Sequence, residues 1–184
     1  MGRPEVERRY GDLCRIPDLI REVISRSWQD KRAAQLFRRA HSALFLGRGV
    51  NATTALEGAL KLKEISYLHA EAYPAGELKH GPIALLDENV PVVAVVTESP
   101  TRMQTLSNVQ EILARGSRVV AVASEGDQEV ADIADYVFYI PRIADWCTAI
   151  TASVPLQLFA RYIALERGCD VDKPRNLAKS VTVE

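Results

Sequence analysis

Cysteine is scarce in this 184-residue chain, and the three present, Cys14, Cys147 and Cys169, are far apart and odd in number. No Cys-x-x-Cys or Cys/His spacing offers a zinc site. Reduced thiols in a cytoplasmic protein are the simplest account. An excess of charge is missing too: 23 Lys and Arg face 24 Asp and Glu, a net of −1. A nucleic-acid or polyanion binder would need a basic excess or a basic stripe. No apolar run nears the roughly 18 residues of a membrane span, and the N-terminus lacks the apolar core of a signal peptide. Met1-Gly2 opens like a myristoylation signal, yet Val6 stands where Ser or Thr is wanted. What the chain does have is apolar residues, 47% of it, enough for the core of one domain.

The most informative stretch is residues 55–81, ALEGALKLKEISYLHAEAYPAGELKHG. Its first half predicts a helix over about residues 53–68. At about 100° per residue, Glu57, Lys61, Glu64 and Leu68 share one narrow stripe. Ala55, Leu56, Ala59, Leu60, Leu62 and Ile65 cover most of the remainder. A helix apolar nearly all round is expected to be buried, so its charges need partners. Lys61 lies between Glu57 at i−4 and Glu64 at i+3, which supplies pairing. Two readings follow from this pattern. One is a structural ion pair on a core or interface helix. The other is a carboxylate base tuned by a neighbouring ammonium.

The rest of the chain alternates short apolar runs with helical patterns. Residues 1–12 read as polar, irregular and frayed. Pro17 suits the first turn of a helix in which Leu19, Ile20, Val23, Ile24 and Trp28 follow helical spacing. The cluster at 29–31 interrupts it, and residues 33–39 make a second helical piece. Residues 1–40 thus form an N-terminal tail and helical arm. Residues 43–47, ALFLG, predict a strand ending in a glycine turn. Gly47-x-Gly49-x-x-Ala52 matches a loose dinucleotide fingerprint, but no acidic residue ends the second strand; Glu71 lies near its start. Asn51, Thr53 and Thr54 stand where helix caps are expected. Pro74-Ala75-Gly76-Glu77 leads into a short helix carrying Lys79 and His80, and Gly81-Pro82 stops it. His80 there is either a helix-end surface residue or an acid–base group. His41 and His69 look ordinary.

Residues 91–97 and 118–123 are valine-rich without alternation, as for strands buried on both faces. Between them, residues 101–115 predict a helix with Met103, Leu106, Val109, Ile112 and Leu113 on one face. A loop at 124–127, a short helix at 129–134 and a last strand at 136–140 follow. Residues 143–167 are helical, with a kink or break expected at Pro155. Five short strands separated by helices make an open, mostly parallel sheet with helices on both faces, a three-layer α-β-α sandwich over residues 41–168. Ligands in such sheets sit beyond the carboxyl ends of the strands, a rim expected to include the 47–51 turn, the central helix and the loop at Ser124. The tail, residues 169–184, has no helical period. Pro174 and Arg175 suggest an ordered turn, and Lys179 is an amine on an element suited to a closing lid or to imine chemistry.

ALEGALKLKEISYLHAEAYPAGELKHGP and VPLQLFARYIALERGCDVDKPRNLAKSVTVE resemble signature segments of the glucosamine-6-phosphate synthase family, glutamine–fructose-6-phosphate transaminases (isomerizing). The resemblance runs from about residue 42 to 184 and implies the SIS fold. It implies the second SIS domain and the C-terminal tail of an aminotransferase that makes glucosamine 6-phosphate from fructose 6-phosphate and glutamine-derived ammonia in amino sugar biosynthesis. By the resemblance, Glu64 moves a proton between the two reacting carbons and Lys61 is its neighbour in the site. His80 opens the sugar ring, reaching the site from the other subunit of a homodimer. Lys179 forms an imine with the open-chain ketose, and Ala178 lies beside it on the loop closing over the sugar. Neither a metal nor a cofactor is implied.

Those roles suit the residue types. Aldose–ketose conversion needs a carboxylate shuttle over adjacent carbons. Ring opening needs an acid–base group near neutrality. Lysine can hold a carbonyl as an imine when its charge is suppressed. Lys61 would keep the carboxylate ionised or steady an enolate-like charge. The family's serine- and threonine-rich phosphate loop, in its first SIS domain, and its glutaminase cysteine nucleophile are absent here. The chain is therefore expected to be a feeble isomerase and no amidotransferase without those partner domains. Rival readings are a non-catalytic sugar-phosphate-binding or dimerisation module of SIS type, and a dinucleotide-binding domain.

Overall fold

The computed structural model describes residues 2–27 and 31–177. Among them, five strands form one sheet: β1 (Ser42–Gly47), β2 (His69–Pro74), β3 (Val92–Val96), β4 (Val119–Ser124) and β5 (Tyr136–Ile140). Their order is β2-β1-β3-β4-β5, and every pairing is parallel. β3 and β4 are buried along their whole length. Both faces of each are covered, so their valines need no polar alternation.

One face carries α1 (Arg3–Ser27), α2 (Arg32–Phe37), α3 (Val50–Ser66) and α6 (Asp145–Glu166). Phe37, Phe45, Leu62, Phe138 and Phe159 lie in that core, with the Phe37 and Phe159 rings edge to face at 5.0 Å. The other face carries α4 (Arg102–Leu113), α5 (Gln128–Ala131) and the 3-10 turns Ala75–His80 and Pro82–Leu85. Leu44, Leu78, Val109 and Ile112 belong to its core. The expected three-layer α-β-α sandwich is thus observed, with a wholly parallel sheet.

The β1–α3 turn shows why glycine is needed at Gly47. A Cβ there would stand 2.2 Å from the Asn51 carbonyl oxygen. Of the two fingerprint-like glycines, Gly47 serves this close approach, while Gly49 serves the turn through its positive φ of 55°. Asn51 and Thr54 do not cap α3. The Asn51 amide donates to Thr97 Oγ1 at 2.8 Å, tying α3 to the end of β3, and Thr54 Oγ1 donates back to the Val50 carbonyl. No side-chain cap bond is made at the start of α3.

Several expectations are corrected. The stretch read as frayed is helical, and α1 runs unbroken from Arg3 with Pro17 inside it. Arg3–Glu7 and Glu5–Arg9 pairs at i,i+4 support its first turns, while Ile16, Leu19 and Val23 are buried. Trp28 lies outside the described residues. α6 is neither stopped nor split at Pro155, which is buried within it. Met103 is exposed, leaving Leu106, Val109 and Ile112 as the buried side of α4. α3 ends at Ser66, so Leu68 leaves the stripe and is buried below β2. Nor is α3 buried all round: Leu56 is 56% and Leu60 43% exposed.

Candidate active site

The expected base and its neighbour stand together on α3. Lys61 Nζ donates to Glu64 Oε2 at 2.9 Å and lies 3.8 Å from Glu57 Oε1. Spacing of three and four residues puts the three groups on one face. All are half-buried, with about a third of each side chain exposed. The hydrogen bond to Glu64, reinforced by both carboxylates and opposed by desolvation, raises the Lys61 amine above its ordinary value. It is thus an ammonium near neutrality.

Glu64 opens onto a hollow of about 420 Å3, lined also by Lys63, Tyr67, His69 and the tail residues Arg175, Asn176 and Leu177. α3 runs antiparallel to β1 and ends where β2 begins. The hollow therefore sits at the amino ends of the strands, not at the carboxyl rim expected for the central helix. Only the first turn of α3 reaches that rim. There Arg48 donates through Nε and Nη2 to Asn108 Oδ1 at 3.2 and 3.0 Å.

A second hollow of about 790 Å3 adjoins the first through Tyr67 and Arg175. Arg167 crosses its floor and donates to the carbonyls of Ser66 and Ala40. That arginine ties the end of α3, the start of β1 and the end of α6. In the sequence Arg175 reads only as part of a turn, and nothing singles out Tyr67. Their hydrogen bond spans 108 residues, a separation no local period reveals.

His80 ends the 3-10 turn after β2 and is exposed. Its neighbour Lys79 reaches Glu111 of α4 at 2.8 Å, and Leu78 lies in the core of the α4 face. Glu64 belongs to the helix on the opposite face. The sheet therefore stands between His80 and Glu64 within one chain. Ala178 and Lys179 lie outside the described residues; Leu177, immediately before them, lines the Glu64 hollow. Among the described residues, no group of three or more His, Cys, Asp or Glu stands where it could hold a metal ion. No helix among them is long and apolar enough to cross a membrane.

Residues 36–167 match the SIS domain family. The chain is 53% identical over 180 residues to a protein of Thermus thermophilus named glutamine–fructose-6-phosphate aminotransferase [isomerizing], and 47% identical over 184 residues to the protein of that name from Chlorobaculum tepidum. Those alignments cover 98% and 100% of this chain. The chain spans only 30% of the length of either relative. A solved structure described as the C-terminal domain of glucosamine-fructose-6-phosphate aminotransferase from Francisella tularensis superposes with a TM-score of 0.87 at 36% identity. That superposition covers 94% of this chain and 49% of the other.

Proposed function

We propose, from the premise that this chain belongs to the SIS domain family, that it is the second SIS domain of a glutamine–fructose-6-phosphate aminotransferase. The observation that carries this reading is the Lys61–Glu64 pair at the mouth of a hollow bordered by the tail. A structural ion pair has no need of a hollow of about 420 Å3 beside its carboxylate. The share of chain covered supports the placement. About half of the Francisella domain matches, which leaves room for a first SIS domain, and 30% of the longer relatives leaves room for a glutaminase domain as well.

In this reading the substrate is fructose 6-phosphate and the site needs no metal or cofactor. Lys179 condenses with the open-chain ketose to an imine. Glu64 carries a proton between the two adjacent reacting carbons. The Lys61 ammonium, 2.9 Å from that carboxylate, offsets the negative charge that builds as the proton leaves carbon. Ala178 borders the sugar beside Lys179. His80 opens the ring of a sugar held by the partner subunit, because its own Glu64 is across the sheet. The enzyme is then a homodimer with shared sites, and a cytoplasmic one. Its missing domains supply the phosphate contacts and the ammonia.

The test is a titration of the chain with glucosamine 6-phosphate, followed by its backbone amides in NMR spectra. Saturable shifts are expected at residues 61–68 and 173–179. Shifts confined to the carboxyl rim near Arg48 and Thr97 would overturn the placement of the site, and none at millimolar sugar would mean that a first SIS domain supplies the essential phosphate contacts.

A further inference from the structure

Four arginines line the larger hollow of about 790 Å3: Arg38 and Arg39 after α2, Arg167 after α6, and Arg175 of the tail. His41 borders it too, and Glu166 is the one carboxylate among its lining residues. Among the described residues, none of the four arginines forms an ion pair, and neither does Glu166. A structural account covers only part of this set. α2, α3 and α6 all end here, and the carbonyl ends of helices carry a partial negative charge that cations offset. Arg167 fills that role. Its Nε donates to the Ser66 carbonyl at 3.3 Å, and its Nη1 to the carbonyls of Arg38 and Ala40 at 3.3 and 3.1 Å. Its Nη2 makes no hydrogen bond among the described residues. Arg38 and Arg39 are exposed, and their side chains make none there either. The Arg175 guanidinium lies 4.1 Å from the centroid of the Tyr67 ring, a contact that restrains it without using its N–H groups.

Guanidinium groups gathered without carboxylates repel one another, and a bound anion relieves that repulsion. Their planar forks of N–H donors match the oxygens of phosphate. A phosphate group brings three acceptor oxygens and up to two charges, so it satisfies more of these donors than a carboxylate does. The four heads belong to three separate segments around a hollow far larger than one phosphate, which favours a ligand carrying at least two. We infer that this hollow binds a small molecule bearing a diphosphate or triphosphate group, with Arg38, Arg39, Arg167 Nη2 and Arg175 as the donors. The site adjoins the Glu64 hollow through Tyr67 and Arg175 but asks nothing of the sugar chemistry proposed there.

The test is a titration of the 184-residue chain with pyrophosphate at constant ionic strength, followed by arginine Nε–Hε and backbone amide NMR signals. Arg38, Arg39 and His41 are the reporters, because they line this hollow alone, whereas Tyr67 and Arg175 line both. Saturable shifts are expected at the reporters by millimolar pyrophosphate, with the amides of β3 and β4 unmoved. Orthophosphate should bind about tenfold more weakly, having fewer charge-assisted bonds to offer. ADP separates two sources of the same chemistry. Affinity within a few-fold of pyrophosphate means that the phosphates alone are read, and affinity more than about tenfold higher means that a nucleoside diphosphate is the ligand; either supports the site. The joint change Arg38→Gln and Arg39→Gln removes two exposed heads, should leave the strand amides in place, and should weaken pyrophosphate at least about tenfold. Three results would overturn the inference: reporter shifts no larger than those from sodium chloride of the same ionic strength, unchanged pyrophosphate affinity in the double variant with the strand amides intact, or orthophosphate binding as tightly as pyrophosphate.

Discussion

Lys61 and Glu64 form the ion pair on which the proposed chemistry rests. The pair raises the Lys61 amine above its ordinary 10.5, with the Glu64 hydrogen bond the largest cause. A group whose folded value is raised contributes stability that is complete below the unfolded value and is lost as pH climbs through the folded one. The pair therefore supports the fold across the neutral range and weakens only in alkali. Both side chains are partly exposed, so its effect on stability is small. Its chemical effect is expected to be large. In an enzyme that carries this chain as its C-terminal part, Glu64→Gln should lower kcat by about 10^2- to 10^4-fold with little change in KM, as for loss of a general base. The same change should return the Lys61 amine toward its ordinary value in a titration followed by its side-chain NMR signals. A kcat within a few-fold of the unsubstituted enzyme would reduce the pair to a structural one.

At the scale of elements, the loop after β4 shows how a few polar groups fix a joint between helices. Asp127 accepts the Val130 N–H at 3.2 Å, capping α5. It also accepts from Arg102 Nε of α4 at 2.6 Å. Burial pushes the Asp127 carboxyl up, but the Arg102 and Val130 hydrogen bonds outweigh it, and the net shift is down. Its stabilisation is thus present above 3.8, the unfolded value, and is lost as pH falls through the lower folded one. Asp127→Ala should cost about 3 kcal/mol, because Arg102 is left with only the exposed Glu129. Urea unfolding at neutral pH measures this, and the difference between variant and parent should shrink in strong acid. The same scale separates what was legible in the sequence from what was not. The β3 and β4 valines announced buried strands, because strands covered on both faces need no alternation. The lysine between two glutamates announced the α3 stripe. The start of α1 was hidden, because Arg3–Glu7 and Glu5–Arg9 support a helix there without apolar periodicity. Asp127–Arg102 and Tyr67–Arg175 were hidden for another reason. Their partners lie 25 and 108 residues apart, and the fold alone brings them together.

The whole molecule sets a constraint that no single element does. Glu64 faces its hollow from the α3 side of the sheet, while His80 follows Leu78 on the α4 side. A ring-opening histidine and a proton-shuttling carboxylate must reach one sugar, so on the proposed mechanism they belong to different subunits. α3 offers a surface suited to such an assembly, since Leu56 and Leu60 are exposed beside the Glu57–Lys61–Glu64 stripe. Two crippled enzymes should then repair one another. In an aminotransferase that carries this chain, the separate variants His80→Ala and Glu64→Gln should each be nearly inactive. Mixed and allowed to exchange subunits, they should form heterodimers in which one of the two sites has both an intact His80 and an intact Glu64. Random exchange makes half of the dimers mixed, so about a quarter of the parental activity should return, assuming independent sites. The activity measured is formation of glucosamine 6-phosphate, with exchange proven by mass spectrometry of differently tagged chains. No recovery after proven exchange would place both residues in one chain's site, or remove His80 from the chemistry. Joining both substitutions in one chain separates the cases further. When that double variant is mixed with the parent, sites shared across the interface leave the mixed dimers inactive at both, because each site then lacks one of the two residues. Sites built within one chain leave the parental half of each mixed dimer active.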